Sequence, residues 1–409
     1  MLVAAFFLIL LFPAAICTDD RLTVLAIGQV LPGESPIPQW FDADPLVDYR
    51  LIPTDIDFML GPTMESGPKT WRRFIRIYFP KTRRDLVEGY DFFVFPDGNI
   101  DPFTASQVAD IRYAIENGLG SFVTLGGDLA APSHTAFPGW LNSALYELLP
   151  AELNDRMIQS SDEFRIRVTK EKPEVLSVFR PLGIENVRAS IFSLLFPKPG
   201  ATVWAEMVSP GMPPYAPGIW LVSWRIGEGG GLFWAVADDL DAPFWSALIR
   251  PCENEYSMDI FLNLMLHSTG RELPKDILQL HDVRRRYWQF NEEKALLISL
   301  FEFVDKFGAN TRPLEEEIME ADLLRERSFD YYREQLYGDA HEGIERGIEI
   351  LQEISNHAME LKDRALFWVY LIEWLAVTGT FLVCGSALWA LMVRRRLYRE
   401  VGVTRGTGG

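Results

Sequence analysis

The sequence predicts an α/β domain built on a parallel sheet with β-rich additions, followed by an α-helical segment and one transmembrane helix. Three patterns support this fold class. Short apolar strands alternate with helices over residues 22–270, helical periodicity dominates from 275 to 364, and an uninterrupted apolar run fills 365–393. The 409 residues, 48% of them hydrophobic, suffice for two domains with a real core.

The N-terminus has the features of an export signal. The apolar run Leu2–Phe12 is too short to cross a bilayer as a helix. Ala15 and Cys17 precede Thr18 in a small-x-small pattern, which predicts a signal peptide at residues 1–17. Because no Lys or Arg precedes the apolar run, an uncleaved anchor is the alternative.

The predicted α/β ectodomain spans residues 18–270, and its first half shows strands and helices in alternation. Trp71–Phe79 alternates apolar and basic residues, as a strand with one solvated face does. Thr104 can cap a helix that Gly118 ends. Short connections between such elements imply right-handed crossovers and a parallel sheet. We predict strands at Leu22–Ile27, Trp71–Phe79, Tyr90–Phe95 and Leu119–Leu125, and helices at Thr104–Asn117 and Trp140–Leu148.

A more β-rich half follows, with Pro and Gly clustered in Ser209–Gly218. An amphipathic helix, Tyr256–His267, closes this region. The predicted strands are Phe164–Val168, Thr202–Met207, Ile219–Ile226 and Leu232–Ala237.

Residues 271–364 form a predicted helical stalk, either a hairpin or a small bundle. Its last helix has no strong breaker before Ala365, so we expect it to run directly into the membrane. Two apolar stripes have helical spacing, and the second is close to a heptad seam. They are Leu296, Leu300, Val304 and Phe307, then Ile344, Ile348, Leu351, Ile354, Ala358 and Leu361.

Residues 365–393 are the predicted transmembrane helix. At about 1.5 Å per residue the run exceeds the roughly 30 Å hydrocarbon core. Trp368 and Trp389 lie near its two ends, as in an aromatic belt, and an Arg cluster begins at Arg394. The positive-inside rule places the tail, 394–409, in the cytoplasm and the bulk of the chain outside the plasma membrane.

Charge and cysteine content exclude several classes of function. The chain carries a net charge of −18 although its tail is basic, so the exported part will not bind nucleic acid through its overall field. Cys252 is the single cysteine between the signal and the membrane helix, which excludes an intramolecular disulfide and a Cys-rich zinc site there. We expect no metal and no cofactor. The absence of Asn-x-Ser/Thr favours a prokaryotic source.

Three stretches carry a resemblance to a known family. They are YDFFVFPDGN with NGLGSFVTLGGD and WLNSALYELLPAEL, then GEGGGLFWAVADDLDAPFW, and finally YSMDIFLNLMLHSTGRELP. Together they resemble the class I glutamine amidotransferase-like fold, nearest to its trehalose-utilisation-type and membrane-anchored members. The resemblance covers about residues 20–270 and implies a flavodoxin-like sheet.

Active members of that family use a cysteine on a tight strand-to-helix turn, with a histidine and a glutamate as partners. In this chain the strand Leu119–Leu125 is followed by Gly126, Gly127 and Asp128, with no thiol. Cys252 lies in RPCENEY, where no glycine elbow surrounds it. The resemblance therefore implies a degenerate domain, a pseudoenzyme that lacks the nucleophile.

Open parallel sheets bind ligands beyond the carboxyl ends of their strands. Glycines there permit close approach of a ligand, and aspartates can accept hydrogen bonds from a sugar or hold a cation. The alternative is that these residues cap helices and shape turns. The ligand-binding candidates are Gly28, Asp97, Gly126, Gly127, Asp128, His134, Asp238 and Asp239.

Three residues of the membrane helix are candidate partner contacts. A carboxylate inside a membrane is expensive, so we expect Glu373 to face a partner or the interface. Gly379 and Gly385 are small enough to let another helix approach closely. These residues predict association of the membrane helix and stalk with a second copy or with another membrane protein.

The preferred hypothesis is a non-catalytic, membrane-anchored extracytoplasmic binding or scaffolding subunit of a membrane or cell-surface complex, which recognises a protein or a glycan. The alternative is an exported hydrolase acting on a carbohydrate or peptide-like substrate, with Asp128 and His134 as its acid–base pair. A sensor that signals through the continuous helix is a third reading, disfavoured by the short tail.

Overall fold

The computed structural model describes residues 21–30, 35–54, 68–126, 140–152, 159–160, 163–189, 192–209, 218–240, 243–245, 247–248, 254–308 and 310–404. They form two compact units. The first extends to Trp288 and includes Arg333–Tyr337, and the second comprises Gln289–Tyr332 and the chain from Gly338 onward. The predicted signal peptide, 1–17, lies outside the described residues.

Twelve strands are described, all in the first unit. They are β1 (Leu22–Gly28), β2 (Val47–Pro53), β3 (Phe92–Phe95), β4 (Gly120–Thr124), β5 (Ala151–Glu152), β6 (Gln159–Ser160), β7 (Arg165–Val168), β8 (Phe192–Ser193), β9 (Phe196–Pro197), β10 (Thr202–Val208), β11 (Ile219–Arg225) and β12 (Leu232–Val236). Eight form one sheet in the order β2-β1-β3-β4-β12-β11-β10-β7. The first five pair in parallel and the last three continue antiparallel. This confirms an α/β fold with a parallel half and β-rich additions.

Eight α-helices are described across the two units. They are α1 (Ile37–Ala43), α2 (Pro68–Tyr78), α3 (Arg83–Glu88), α4 (Ala105–Glu116), α5 (Ser257–Ser268), α6 (Ile277–Asp305), α7 (Arg312–Arg333) and α8 (Tyr337–Thr404). The predicted cap of α4 is present: Thr104 and Gln107 form a reciprocal capping box. The predicted helix Trp140–Leu148 is present in part: Trp140 and Leu141 are helical, and Tyr146–Leu148 forms a separate 3₁₀ turn.

Helix α2 replaces the predicted strand Trp71–Phe79, so that prediction was wrong. Trp71, Phe74, Ile75 and Tyr78 recur at i, i+3, i+4 and i+7, which is the period of a helix. Strict alternation leaves two of these apolar residues on the basic face, whereas the helical period accounts for all of them.

The core of the first unit lies on both faces of the parallel strands. Every side chain of β3, β4 and β12 is buried, as expected for parallel strands covered on both faces. Helix α5 lies against the sheet, where Phe261 packs edge-on against Phe122 of β4 at 5.0 Å between ring centroids. Trp40 of α1 reaches the same Phe261 ring at 5.4 Å, so the two helices share this part of the core.

The second unit is built from the rest of α6, α7 and α8. The predicted seam of α8 is confirmed at five of its six residues: Ile344, Ile348, Leu351, Ile354 and Ala358 are buried, and Leu361 is half-buried. Small residues on α8 let the helices approach closely. A Cβ on Gly343 would lie 3.1 Å from Ser328 of α7, and one on Gly347 would lie 3.0 Å from the Phe290 ring of α6.

Helix α8 continues without interruption from the buried seam into the predicted transmembrane segment. Its stretch Tyr337–Arg396 contains the one candidate membrane span in the part of the chain that the structure describes, and that span is not buried against the protein. The expectation that the last helix runs directly into an apolar span near the C-terminus is therefore confirmed.

Candidate functional site

The carboxyl ends of β1, β3, β4 and β12 are neighbours along one edge of the sheet. The structure thus brings together five of the predicted site residues. They are Gly28, Asp97, Gly126, Asp238 and Asp239. The other three candidates, Gly127, Asp128 and His134, lie outside the described residues, as does Cys252.

Asp238 is fully buried at the end of β12, where it receives hydrogen bonds from the protein itself. Its Oδ2 accepts from Trp245 Nε1 at 3.0 Å and from Trp220 Nε1 at 3.5 Å, and its Oδ1 accepts from the Asp239 N–H at 3.0 Å. The two indoles stack at 5.6 Å between ring centroids. The carboxylate therefore orients two core tryptophans, which is a structural role.

Asp97 is buried at the end of β3 in the left-handed region, with φ of 45°. Its N–H donates to Thr124 Oγ1 at 2.8 Å, and that hydroxyl donates to Asp97 Oδ1 at 3.3 Å. The following carbonyl, of Gly98, accepts from Trp140 Nε1 at 2.7 Å. These bonds hold a backbone conformation that a residue with a Cβ adopts only at a cost.

The two glycines approach the protein's own backbone. A Cβ on Gly28 would lie 2.1 Å from the Pro96 carbonyl oxygen, and one on Gly126 would lie 2.3 Å from the Asp238 carbonyl carbon. Both distances are far shorter than van der Waals contact. At these strand ends the space next to each glycine is filled by the neighbouring strand end, which favours the turn-shaping alternative.

A buried charge cluster, which the sequence did not reveal, lies elsewhere in the first unit. Arg284 of α6 donates through Nε and Nη2 to Asp44 Oδ2 at 3.0 and 2.7 Å, and through Nη1 to Asp259 Oδ1 at 2.7 Å. The other oxygen of Asp259 contacts His281 Nδ1 at 2.6 Å. All four residues are buried, and burial also raises the pKa of the adjacent Tyr337 to about 12.

This cluster ties three elements together rather than forming an open site. Asp44 follows α1, Asp259 lies on α5 and Arg284 lies on α6, so one guanidinium joins three parts of the chain. With a neutral imidazole the four groups carry a net charge of −1, and with an imidazolium they are balanced. One feature of the sequence could have predicted this buried cluster. Arg284 lies one turn after Leu280, on the apolar face of α6 that is buried.

The apolar stripe predicted on α6 is placed one residue off. The side chains that face the second unit's core are Leu297, Phe301 and Val304. Leu296 is 69% exposed and Phe307 is exposed, so of the predicted stripe only Val304 is fully buried.

Helix α6 therefore has a second apolar face. Leu296 and Phe303 are seven residues apart, which places them within about 20° of each other around the helix. Phe307 lies in the turn that follows α6. The Phe303 and Phe307 rings contact each other at 4.9 Å between centroids. On α7, Met319 and Leu323 are also exposed, one turn apart. We call Leu296, Phe303 and Phe307 the outer stripe.

The predicted contact residues of the membrane helix do not share one face. Glu373, Gly379 and Gly385 are six residues apart, so successive members are turned by about 120° around the helix. A Cβ on either glycine would meet nothing within 4 Å. One partner helix could touch only one of the three closely.

No protein-family model matches this chain, and no curated protein matches it. The likeness to the amidotransferase-like family thus stays a prediction that rests on the quoted motifs.

Proposed function

We propose that this protein is a non-catalytic, membrane-anchored binding or scaffolding subunit that assembles with a second copy or with another membrane protein. The observation that carries the proposal is the outer stripe. The second unit already fills its core with a different face of α6, so the outer stripe is additional apolar surface on this helix and on the turn after it.

The energetics favour an occupied stripe. Fully burying a large apolar side chain is worth about 1.5–3 kcal/mol. The three residues are 69%, 40% and 39% exposed, so covering them represents about 2–4 kcal/mol before the cost of association. Large contiguous exposed apolar patches mark interaction sites on soluble proteins. Phe303 and Phe307 also belong to a residue type that is enriched at the centres of interfaces.

The carboxyl edge of the sheet supports the non-catalytic part of the proposal. Its buried aspartates, Asp97 and Asp238, are engaged by Thr124 and by two tryptophans, and its glycines approach backbone. A general acid or base must reach a substrate. In the described part of this edge, the Asp97 and Asp238 carboxylates instead accept hydrogen bonds that stabilise the fold.

We also propose that the first unit is a degenerate amidotransferase-like domain with a flavodoxin-like sheet. The parallel half follows the order 2-1-3-4-5 when its strands are numbered along the chain, which is the flavodoxin-like order. The turn after β4 carries no cysteine in the sequence. An extracytoplasmic first unit and a cytoplasmic tail follow from the basic cluster beyond Val393.

The experiment is to measure the mass of the full-length protein in a mild non-ionic detergent by light scattering. We expect an assembly larger than one chain. The double variant Leu296→Gln/Phe303→Gln removes two members of the outer stripe and is expected to yield single chains. Leu278→Gln is the matched control, since Leu278 is 57% exposed on the same helix but lies in the first unit.

The proposal fails if the wild type is a strict monomer that co-purifies with no other chain. It also fails if Leu278→Gln disperses the assembly as effectively as the double variant, because the outer stripe then has no special part in it.

A further inference from the structure

One short segment of the first unit is strongly basic. Residues 68–84 contain seven Lys and Arg and no Asp or Glu, in a chain whose net charge is −18. This segment forms α2 and the start of α3. A local positive field in an acidic protein concentrates anions at that place.

Only part of this charge is neutralised by the protein. Arg83 and Arg84 pair with carboxylates on α4 and α3 at 2.7 and 2.8 Å. Arg72, Arg73 and Arg76 are exposed, and none of them forms a salt bridge with a residue in the described ranges. Three arginines on two turns of one helix thus remain available to an anion from outside.

Two of these arginines open onto a cleft of about 780 Å³ between α2 and the start of α4. Arg72, Arg76 and Lys81 form its cationic wall, and Thr104 and Ser106 lie opposite, at the first turn of α4. The volume is within the range of small-molecule sites. Arg73, one residue away on the same helix, does not line the cleft.

Two further polar residues, Gln107 and Asp110, also line the cleft, and the Asp110 carboxylate forms an ion pair with Arg83. The remaining lining is apolar. It includes Ile75, Phe79 and Phe103, and the two phenylalanine rings meet edge to face at 5.4 Å between centroids. The first turn of α4 contributes the positive end of a twelve-residue helix. The cleft therefore combines cations for an anionic group with an apolar surface for the group attached to it.

We propose that this cleft binds a phosphate ester, with the phosphate held by Arg72, Arg76 and Lys81 and its organic part against Phe79 and Phe103. A guanidinium group can donate two parallel hydrogen bonds to the oxygens of a phosphate. A phosphate offers more acceptor oxygens than a carboxylate does, so it suits a wall of three cations better. A free organic phosphate and a phospholipid headgroup present the same group. The overall negative charge of the chain disfavours nucleic acid as the occupant.

The test uses the full-length protein in sugar-headgroup detergent micelles. Isothermal titration with glycerol 1-phosphate measures the free-ligand arm, and titration with micelles that contain dioctanoyl phosphatidylglycerol measures the lipid arm. Inorganic phosphate is the probe for the anion alone. We expect saturable binding in at least one ester arm, tighter than that of inorganic phosphate.

Variants locate the site. Arg72→Gln/Arg76→Gln removes two charge-assisted hydrogen-bond donors and is expected to weaken binding roughly tenfold or more. Arg73→Gln removes one positive charge beside the cleft and is expected to change affinity about twofold or less, as a distant field effect would. Ser106→Glu keeps every cation but adds to the cleft a second carboxylate besides the ion-paired Asp110. A glutamate suits a helix N-terminus, so this variant is expected to abolish binding in a folded protein.

Three results overturn the proposal. One is no saturable binding in either ester arm. Another is a loss of affinity in Arg73→Gln that is half or more of the double variant's loss on a logarithmic scale, which indicates a diffuse field. The third is binding of an oligonucleotide but of neither ester. The site is independent of the outer stripe, so a monomeric protein that binds the ester contradicts only the proposed assembly, and an assembly that binds no ester contradicts only this inference.

Discussion

Replacing Arg284 with Met is expected to destabilise the first unit strongly, because it leaves two buried carboxylates without their cation. The guanidinium is 1% exposed and makes three short hydrogen bonds, two to Asp44 and one to Asp259. Met fills a similar volume, so the variant removes the charge and the hydrogen bonds more than the packing.

The size of the effect follows from the burial. Removing one partner from a buried ion pair costs about 3–5 kcal/mol, whereas an exposed substitution costs about 0.5 kcal/mol or less. The first unit has 293 residues, Met1–Trp288 and Arg333–Tyr337, so its unfolding entropy is about 0.6 kcal/mol per kelvin. The midpoint of its thermal transition is therefore expected to fall by about 5–8 °C.

Tryptophan fluorescence during thermal unfolding of the full-length protein in detergent measures this shift. Arg285→Met is the matched control, because Arg285 is the next residue of α6 and is exposed. Adding Asp44→Asn and Asp259→Asn to Arg284→Met removes the stranded charges and is expected to recover part of the loss. Equal midpoints for Arg284→Met and Arg285→Met would refute the reasoning.

Three further predictions concern the fold. Burial, aided by two nearby cations, lowers the pKa of His267 below its ordinary 6.5. The folded chain therefore binds fewer protons at His267 than the unfolded chain, and stability is lost as the pH falls below 6.5. His267→Phe is expected to reduce this loss, measured by thermal melts between about pH 7.5 and about pH 5. Gly126→Ala is expected to cost more than about 2 kcal/mol in urea titrations, while Gly229→Ala, with open space around it, stays near neutral. Gly347→Leu forces α8 away from an aromatic ring and is expected to lose about 1–3 kcal/mol, visible as faster proteolysis of the second unit; unchanged digestion would contradict the packing described.

The sequence was informative where local chemistry decides the outcome. The cap of α4 and the burial of β3 are visible in Thr104 and in the run from Tyr90 to Phe95 because a capping side chain and a continuous apolar strand need no distant partner. The heptad seam of α8 is equally local. The continuous α8 followed from the lack of a breaker before Ala365.

It was less informative where two periods or two faces compete. The segment that forms α2 carries apolar residues at both periods, and only its packing selects the helix. Strand β2 was missed because it is an edge strand, with charged residues at Asp48 and Arg50 and much of its surface exposed. On α6 two apolar faces lie side by side, so periodicity alone could not tell the buried face from the outer stripe.

The least predictable features depend on long-range contacts. Arg284 meets Asp44 across 240 residues of chain, and no local pattern announces that pairing. Topology alone predicted that the candidate residues at the strand ends share one edge of the sheet, and the five described ones do. The candidate aspartates Asp97 and Asp238 bond with a threonine and two tryptophans that lie on other elements, seven to 27 residues away in sequence.

Photo-cross-linking in native membranes tests the central claim most directly. A photoreactive amino acid at position 296 is expected to give one discrete cross-linked species, of twice the chain mass or of the chain plus one membrane protein, and Phe303→Gln is expected to diminish it. The same probe at position 278 is expected to give none. No discrete product from position 296, or the same product from both positions, would contradict an assembly through the outer stripe.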